Sequence, residues 1–300
     1  MTQQMGQLEA LEQPQKPLIK TLIAAVGLKP AALRLYNLYR KVLYSFKPRF
    51  YVNVGNSRVT FVTEDEHSKH FFHYRYENGE MHEPPVSQEL IARVQDARVF
   101  ADVGAHLGYY ACLAGALNPD LKLYLFEMNR NLVELIEHNL KANGLDSAEV
   151  VNQAVSDRTK PIGYADGSVD AGLSMHAPGE LSGEVIADSI SLDEFFDSKG
   201  VTPDVIKIDV QGAEMEALRG AEQILRRCHP IIFLEVHPKF VGAFGTTPQE
   251  VYGFLTETGY DEIYLVNEHR RNTGRLIKLD VEKGGPAHTH MLVCIASHQH

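Results

Sequence analysis

The run Val99-Phe100-Ala101-Asp102-Val103-Gly104-Ala105-His106-Leu107-Gly108 places an acidic residue and two glycines, spaced D-x-G-x-x-x-G, at the end of an apolar strand. The first glycine permits a tight turn, the second lets backbone approach a ligand, and a helix starting near Tyr109 offers unpaired N–H groups. The spacing is neither the G-x-G-x-x-G of dinucleotide binders nor a loop with G-K-[ST] for phosphate. Asp102 would repel pyrophosphate but would accept a cationic amino-acid moiety, which points to S-adenosylmethionine. Glu127 closes the next strand, where a carboxylate can accept from both hydroxyls of a ribose. Each element alone is weak; together, at the ends of adjacent strands, they define a nucleoside-type pocket.

Alternating strands and helices after Pro85 imply βαβ units and a parallel sheet. Strands are expected at Val99 to Val103, Lys122 to Glu127, Glu149 to Val155, Val205 to Val210, Pro230 to His237, Ile263 to Val266 and His290 to Ala296. The last two are joined by a polar connection. Helices fit about 107–118, 129–143, 211–227 and 248–258; Thr247-Pro248-Gln249-Glu250 supplies a capping box for the last. The glycine-bearing stretch from Asp157 to Asp188 reads as a long irregular binding loop, with His176 as a loop histidine. Residues 1–80 are expected to form an accessory segment and residues 81–300 the catalytic domain.

Within the accessory segment, Lys16 to Thr63 contains no acidic residue. Two short amphipathic helices fit it, Leu18-Leu22-Val26 and Leu35-Leu38-Tyr39-Val42-Leu43. Their basic faces suit an anionic membrane surface, through residues 16–49, or simply solvent, which is the favoured reading. Residues 49 to 76 read as a hairpin around Gly55-Asn56. His67, His70 and His73 are placed in an exposed turn rather than a metal site, since nothing completes a ligand set; the pairs His288, His290 and His298, His300 are read likewise. Glu83, before Pro84-Pro85, is expected to cap or buttress the following helix.

The formal charge is −10, from 29 basic and 39 acidic residues, which argues against a general grip on nucleic acid. Three cysteines, Cys112, Cys228 and Cys294, fit a reducing compartment. With no long apolar span and no secretory signal, a cytoplasmic location is the expectation.

Over residues 80 to 240 the chain resembles the FkbM-type methyltransferases. The resemblance rests on Phe100 to Tyr110, Phe126-Glu127, Ser191-Leu192-Asp193-Glu194-Phe195, Ile206-Lys207-Ile208-Asp209-Val210-Gln211-Gly212-Ala213-Glu214 and Leu234-Glu235-Val236-His237. It implies an α/β, Rossmann-like class I methyltransferase fold, with a seven-stranded, mostly parallel sheet whose last strand is antiparallel. It also implies methyl transfer from S-adenosylmethionine to a hydroxyl of a carbohydrate or secondary metabolite. On that basis Asp102, Gly104, Ala105 and Gly108 match the cofactor loop, Glu127 the ribose acceptor, Gln153 and Ala154 the wall beside the adenine, and Asp209 the acid beside the reactive methyl. The family's D-V-E-G-A-E segment has Gln211 here, which puts any metal or basic role at that position in doubt; no metal is expected.

Methyl transfer needs an aligned nucleophile and an acceptor for its proton. His237, at the end of its strand, has the reach and the intrinsic pKa for this; the alternatives are a loop-capping role before Pro238, and Asp209 as the base. Two other functions stay open: a nicotinamide-dependent oxidoreductase, disfavoured by the glycine spacing, and a non-catalytic ligand-binding or interaction module. Without N-P-P-Y or D-P-P-Y after the fourth strand, an oxygen acceptor is expected over an amine.

Overall fold

The computed structural model describes residues 38–39, 42–44, 46–76, 79–165, 175–176, 184–269 and 274–297. Met1–Lys47 and Pro48–His300 form two compact units. In the first, Leu38, Tyr39 and Val42 to Tyr44 are helical. The rest of the two expected basic helices, and with it most of the stretch read for membrane contact, lies outside the described residues, as do His298 and His300. No helix among the described residues is long and apolar enough to cross a membrane.

The second unit opens with the expected hairpin, β1 (Arg49–Val54) and β2 (Ser57–Val62), with Val54 opposite Ser57 and Gly55 at φ +55°. The hairpin does not run on to residue 76. Asp65 accepts from Ser68 N and starts a short helix, α1 (Glu66–Phe71), because a carboxylate at this position satisfies an otherwise orphaned N–H. His67 and His70 therefore sit on a helix. His73 is buried against Thr63 Oγ1 at 2.9 Å rather than in an exposed turn.

Helix α2 (Pro84–Val94) precedes β3 (Val99–Val103), α3 (Tyr109–Leu117), β4 (Lys122–Phe126), α4 (Arg130–Ala142) and β5 (Glu149–Val151). Glu83 sits at the start of α2 but makes no side-chain cap bond. The stretch read as a loop contains strands. β6 (Ala154–Val155), β7 (Pro161–Ala165), β8 (Met175–His176) and β9 (Glu184–Ile190) form a separate small sheet in the order β6-β9-β7-β8. Then follow α5 (Leu192–Lys199), β10 (Val205–Ile208), α6 (Glu214–Arg219), α7 (Glu222–Cys228) and β11 (Ile231–Val236). The single helix expected at 211–227 is two, separated at Gly220, where a Cβ would lie 2.0 Å from the Ser156 carbonyl. α8 (Pro248–Glu257) carries the expected Thr247–Glu250 capping box, and β12 (Glu262–Asn267), β13 (Arg275–Lys278) and β14 (His290–Ile295) complete the chain.

The main sheet has the order β13-β12-β14-β11-β10-β3-β4-β5. β11, β10, β3, β4 and β5 are parallel, and β14 runs antiparallel between β11 and β12. These seven strands correspond to the sheet expected from the sequence, except that the strand expected over Glu149 to Val155 ends at Val151, and Ala154–Val155 pairs in the small sheet instead. β13 adds an eighth at the edge, antiparallel to β12, inside the polar connection between β12 and β14. From β3 the chain proceeds to β4 on one side and later returns to β10 on the other, so the crevice beyond the ends of β3 and β10 is a topological switch point.

Alternation along the strands places Phe100, Val205 and Phe233 in the core on the side of the hairpin and α2 to α4, while Ala101, Ile206 and Leu234 pack on the opposite side among α5 to α8. Two residues further along the first face come Asp102, Lys207 and Glu235, and two further again Asp209 and His237. One face of the sheet thus changes from apolar to ionisable over a single residue pair per strand. The hairpin is fastened by two asparagines one turn apart, Asn139 in α4 and Asn143 at its C-terminal cap. Asn139 Oδ1 accepts from Val62 N at 2.7 Å, and Asn143 Oδ1 accepts from Thr60 N at 2.8 Å, which covers part of the hairpin edge.

Candidate active site

The switch-point crevice opens into a cavity of about 370 Å³, within the range of small-molecule sites. Gly104 turns at its floor with φ +75°, and a Cβ there would lie 1.9 Å from the Asp209 carbonyl, so the loops after β3 and β10 are in backbone contact. His106 takes φ +55° and Gly108 φ +69° in the same turn. Gly104, Ala105 and His106 line the cavity; Gly108 does not, and its Cβ position faces Ile136 and Leu125 of the core. Gly104→Ala is expected to cost at least about 2 kcal/mol of stability, combining left-handed backbone strain with the clash, and to abolish measurable cofactor binding. Gly55→Ala, also left-handed but with open space around its Cβ, isolates the backbone part; denaturation of both variants makes the comparison.

Glu127, directly after β4, lines the cavity. One carboxylate oxygen accepts from His106 N at 2.9 Å and the other from Asn129 N at 2.9 Å, which fixes the group at the rim of the turn. Burial pushes its pKa up to about 7 in spite of these bonds. Met128, Gln153 and Ala154 continue the wall beyond it.

Asp102 occupies a different position from the one its motif implies. It is 1% exposed and does not line the cavity; its Oδ1 lies 3.6 Å from Lys207 Nζ. Lys207 is also buried, 3.8 Å from Asp209 Oδ2 and 5.2 Å over the Tyr110 ring, and it does line the cavity. Burial opposes its charge, yet Asp102, Asp209 and Glu235 keep its pKa raised. Asp209, on the cavity wall, is pushed up by burial but held below the usual carboxylate range, chiefly by the Lys207 charge. Its hydrogen-bond partner Glu235 is driven well above that range by burial and by the Asp209 and Glu83 charges.

His237 is buried at the opposite wall. Its Nδ1 is 2.7 Å from Glu214 Oε1, which also accepts from Gly212 N at 3.0 Å, and its Nε2 is 3.8 Å from Asp209 Oδ1. An ionised carboxylate only accepts, so Nδ1 donates to Glu214 and Nε2 presents its lone pair towards the cavity. Phe240 packs against the imidazole at 6.0 Å between centroids. The remaining wall comes from the N-terminal side: Phe71, Arg75, His82 and Glu83 line it, and His67 Nε2 meets His106 Nε2 at 2.8 Å. Burial and His67 lower the pKa of His106 to about 3.

Sequence reasoning missed Lys207, Glu235, Glu214 and the role of Glu83. A lysine inside Val-Ile-Lys-Ile-Asp was the one signal available, since a cation in an apolar strand needs a buried partner.

Residues 102–262, more than half of the chain, match the model of the methyltransferase FkbM domain. The chain belongs to the FkbM methyltransferase family. Its cofactor is S-adenosylmethionine, and the nicotinamide alternative falls away. Among curated proteins it is 27% identical to hexuronic acid methyltransferase AglP of Haloferax volcanii over 177 residues, 58% of this chain and 68% of that one. Among solved structures, an FkbM methyltransferase from Methylobacillus flagellatus aligns with TM-score 0.44 and 16% identity over 66% of this chain; the chain spans 44% of that structure's length. A SAM-dependent methyltransferase from Agrobacterium tumefaciens aligns with TM-score 0.43 and 10% identity, over 83% of this chain and 70% of its own.

The site of this FkbM methyltransferase fits the cofactor. The Glu127 carboxylate, fixed by two backbone N–H groups, would accept from the ribose, the Gly104–His106 turn brings backbone to the cavity, and Gln153, Ala154 and Met128 would wall the adenine.

Proposed function

We propose that this FkbM methyltransferase methylates a hydroxyl oxygen of a carbohydrate, with His237 as general base. The observation that carries the reading is the Glu214–His237 pair, which leaves Nε2 facing the cavity beside Asp209. When bound, S-adenosylmethionine supplies an electrophilic methyl on a sulfonium. The chain's own residues then hold the acceptor hydroxyl in line and move one proton: Nε2 takes it as the C–O bond forms, and Glu214 stabilises the resulting imidazolium. Asp209 is the weaker candidate base, because the Lys207 charge holds its proton affinity low against its burial. Its place is beside the cofactor's positive charge. Asp102 acts one step back, through Lys207. The name of the Haloferax relative, a hexuronic acid methyltransferase, supports a saccharide acceptor.

The test is an acceptor screen with methyl-labelled S-adenosylmethionine, beginning with uronic-acid-containing oligosaccharides, followed by mild alkali. A label that survives alkali is a methyl ether and supports a hydroxyl acceptor. A label released by alkali is an ester, and would move the acceptor to a carboxylate.

Cofactor binding should depend on pH through Glu127. The ribose hydroxyls donate to the ionised carboxylate, and the free protein holds its pKa at about 7. S-adenosylhomocysteine affinity is therefore expected to be highest above about pH 7 and to fall by up to about tenfold per unit below it. Glu127→Gln should flatten this dependence and, at pH 8, cost roughly 1.5–3 kcal/mol, or about 10- to 150-fold in affinity. Calorimetric titration across pH 6 to 8.5 reads both effects; a profile unchanged in the variant would reject Glu127 as the ribose acceptor.

A further inference from the structure

We propose that Glu83, Glu235 and His269 form a divalent-cation site in the wall of the cavity, selective for Mn²⁺, Fe²⁺ or Zn²⁺ over Mg²⁺ and Ca²⁺. The three come from separate segments: Glu83 just before α2, Glu235 in β11 and His269 just after β12. All are buried, and their ligand atoms lie within 4.8 Å of one another. His269 Nε2 stands 3.7 Å from Glu83 Oε1 and 4.0 Å from Glu235 Oε1. These separations are too long for hydrogen bonds. Adjacent ligands on a cation with bonds of about 2.1 Å stand roughly 3–3.5 Å apart, so a contraction of up to about 1 Å for the two histidine pairs, and of at most about 2 Å between the carboxylates, would close the site. Imidazole with two carboxylates suits borderline transition ions, whereas Mg²⁺ and Ca²⁺ prefer oxygen alone.

Two further features support a cation here. Glu83 is oriented from behind by the Tyr110 hydroxyl, which donates to Oε2 at 2.9 Å, as outer-shell partners orient ligating carboxylates. Lys207, the nearby fixed positive charge, faces four carboxyl groups, Asp102, Asp209, Glu235 and Glu83, so one cation serves four acidic side chains. Asp209, Glu235 and His237 also converge within 4.8 Å, so Glu235 is common to both groups, but in the second the His237 ring is held by Glu214 at 2.7 Å. Glu83 and Glu235 line the cavity and His269 lies behind them, so the open coordination positions face the acceptor space. There a cation would bind vicinal hydroxyls of the acceptor; this use of the site rests on the carbohydrate reading, while its existence does not.

The test is Mn²⁺ titration of the chelator-treated full chain, reading free Mn²⁺ by electron paramagnetic resonance, alongside S-adenosylhomocysteine titration without metal. One Mn²⁺ per chain is expected. Outer-shell changes alone cost roughly 10–100-fold in metal affinity, so His269→Ala and Glu83→Gln should each cost at least that. His269→Ala should keep its affinity for S-adenosylhomocysteine, which shows that the variant is folded; Glu83→Gln, nearly isosteric, guards against a packing defect. Uptake that neither substitution weakens would overturn the site, as would a wild-type chain that takes up neither Mn²⁺ nor Zn²⁺. Loss of S-adenosylhomocysteine binding in the wild type would instead count against the methyltransferase reading.

Discussion

Replacing Lys207 with methionine should destabilise the protein by about 3–5 kcal/mol at pH 8, the range expected when one partner of a buried ion pair is removed and the other stays buried. Methionine nearly preserves the aliphatic stem and its packing, so the loss isolates the charge. What remains is Asp102, which is 1% exposed, with Asp209 and Glu235 close by on the same face. The pH dependence gives the sharper test. Burial already raises the pKa of Asp102 with Lys207 present, and removing the cation must raise it further. A carboxyl whose folded-state pKa lies above its unfolded value binds more protons in the native state, so stability falls as pH rises between the two values. The variant should therefore be closest to wild type in acid and furthest from it above neutrality. Denaturant unfolding at pH 5 and pH 8 measures this. Adding Asp102→Asn to Lys207→Met should recover part of the loss, whereas Asp102→Asn alone should cost stability; strict additivity would mean the two side chains do not interact. A loss below about 1 kcal/mol that does not vary with pH would remove Lys207 as the counter-charge of this face.

The same face shows what the sequence can and cannot reveal. The strands β3, β10 and β11 were readable one by one because each carries an apolar run ended by turn residues, and Asp102, Glu127, Asp209 and His237 were readable because they stand at strand ends, where an open sheet binds ligands. Their neighbours were not readable. That Lys207 sits opposite Asp102 in the β3–β10 register is a fact about two strands far apart in the chain, and no periodicity within either one encodes it. Asp102 was accordingly expected to meet the ligand itself, when its charge is used on Lys207. Glu214 and Glu83 were hidden for a similar reason: each sits at the start of a helix, where a glutamate has an ordinary explanation. The segment from Asp157 to Asp188 reads as a loop because its glycines break any local pattern, yet β7 and β9 pair across it with five residues each in register. The break between α6 and α7 depends on the backbone of Ser156 coming against Gly220, another contact that lies outside any local window.

His237→Ala should lower kcat by about 10²- to 10⁴-fold, the usual worth of a positioned general base, while S-adenosylhomocysteine still binds. Glu214 should matter only through it. The carboxylate donates nothing to the cavity; it fixes the tautomer in which Nδ1 donates at 2.7 Å and stabilises the charge the ring acquires on taking the acceptor's proton. Glu214→Gln keeps an oxygen for Nδ1 but removes that charge, so kcat should fall by roughly tenfold or more, with the acceptor KM nearly unchanged. Glu214→Asp, which restores the charge at a shorter reach, should recover part of the rate. The decisive arm is the double variant. If Glu214 acts by positioning His237, adding Glu214→Gln to His237→Ala should cost almost nothing more, because residues that work as one unit are far from additive. A full further loss in the double variant would give Glu214 a separate task. The competing assignment is decided by the same assay: if Asp209→Asn abolished turnover while retaining the cofactor, and His237→Ala left kcat intact, the proton would go to Asp209. The acid limb of the kcat profile belongs to whichever group is the base, so it should vanish in His237→Ala and survive in Asp209→Asn.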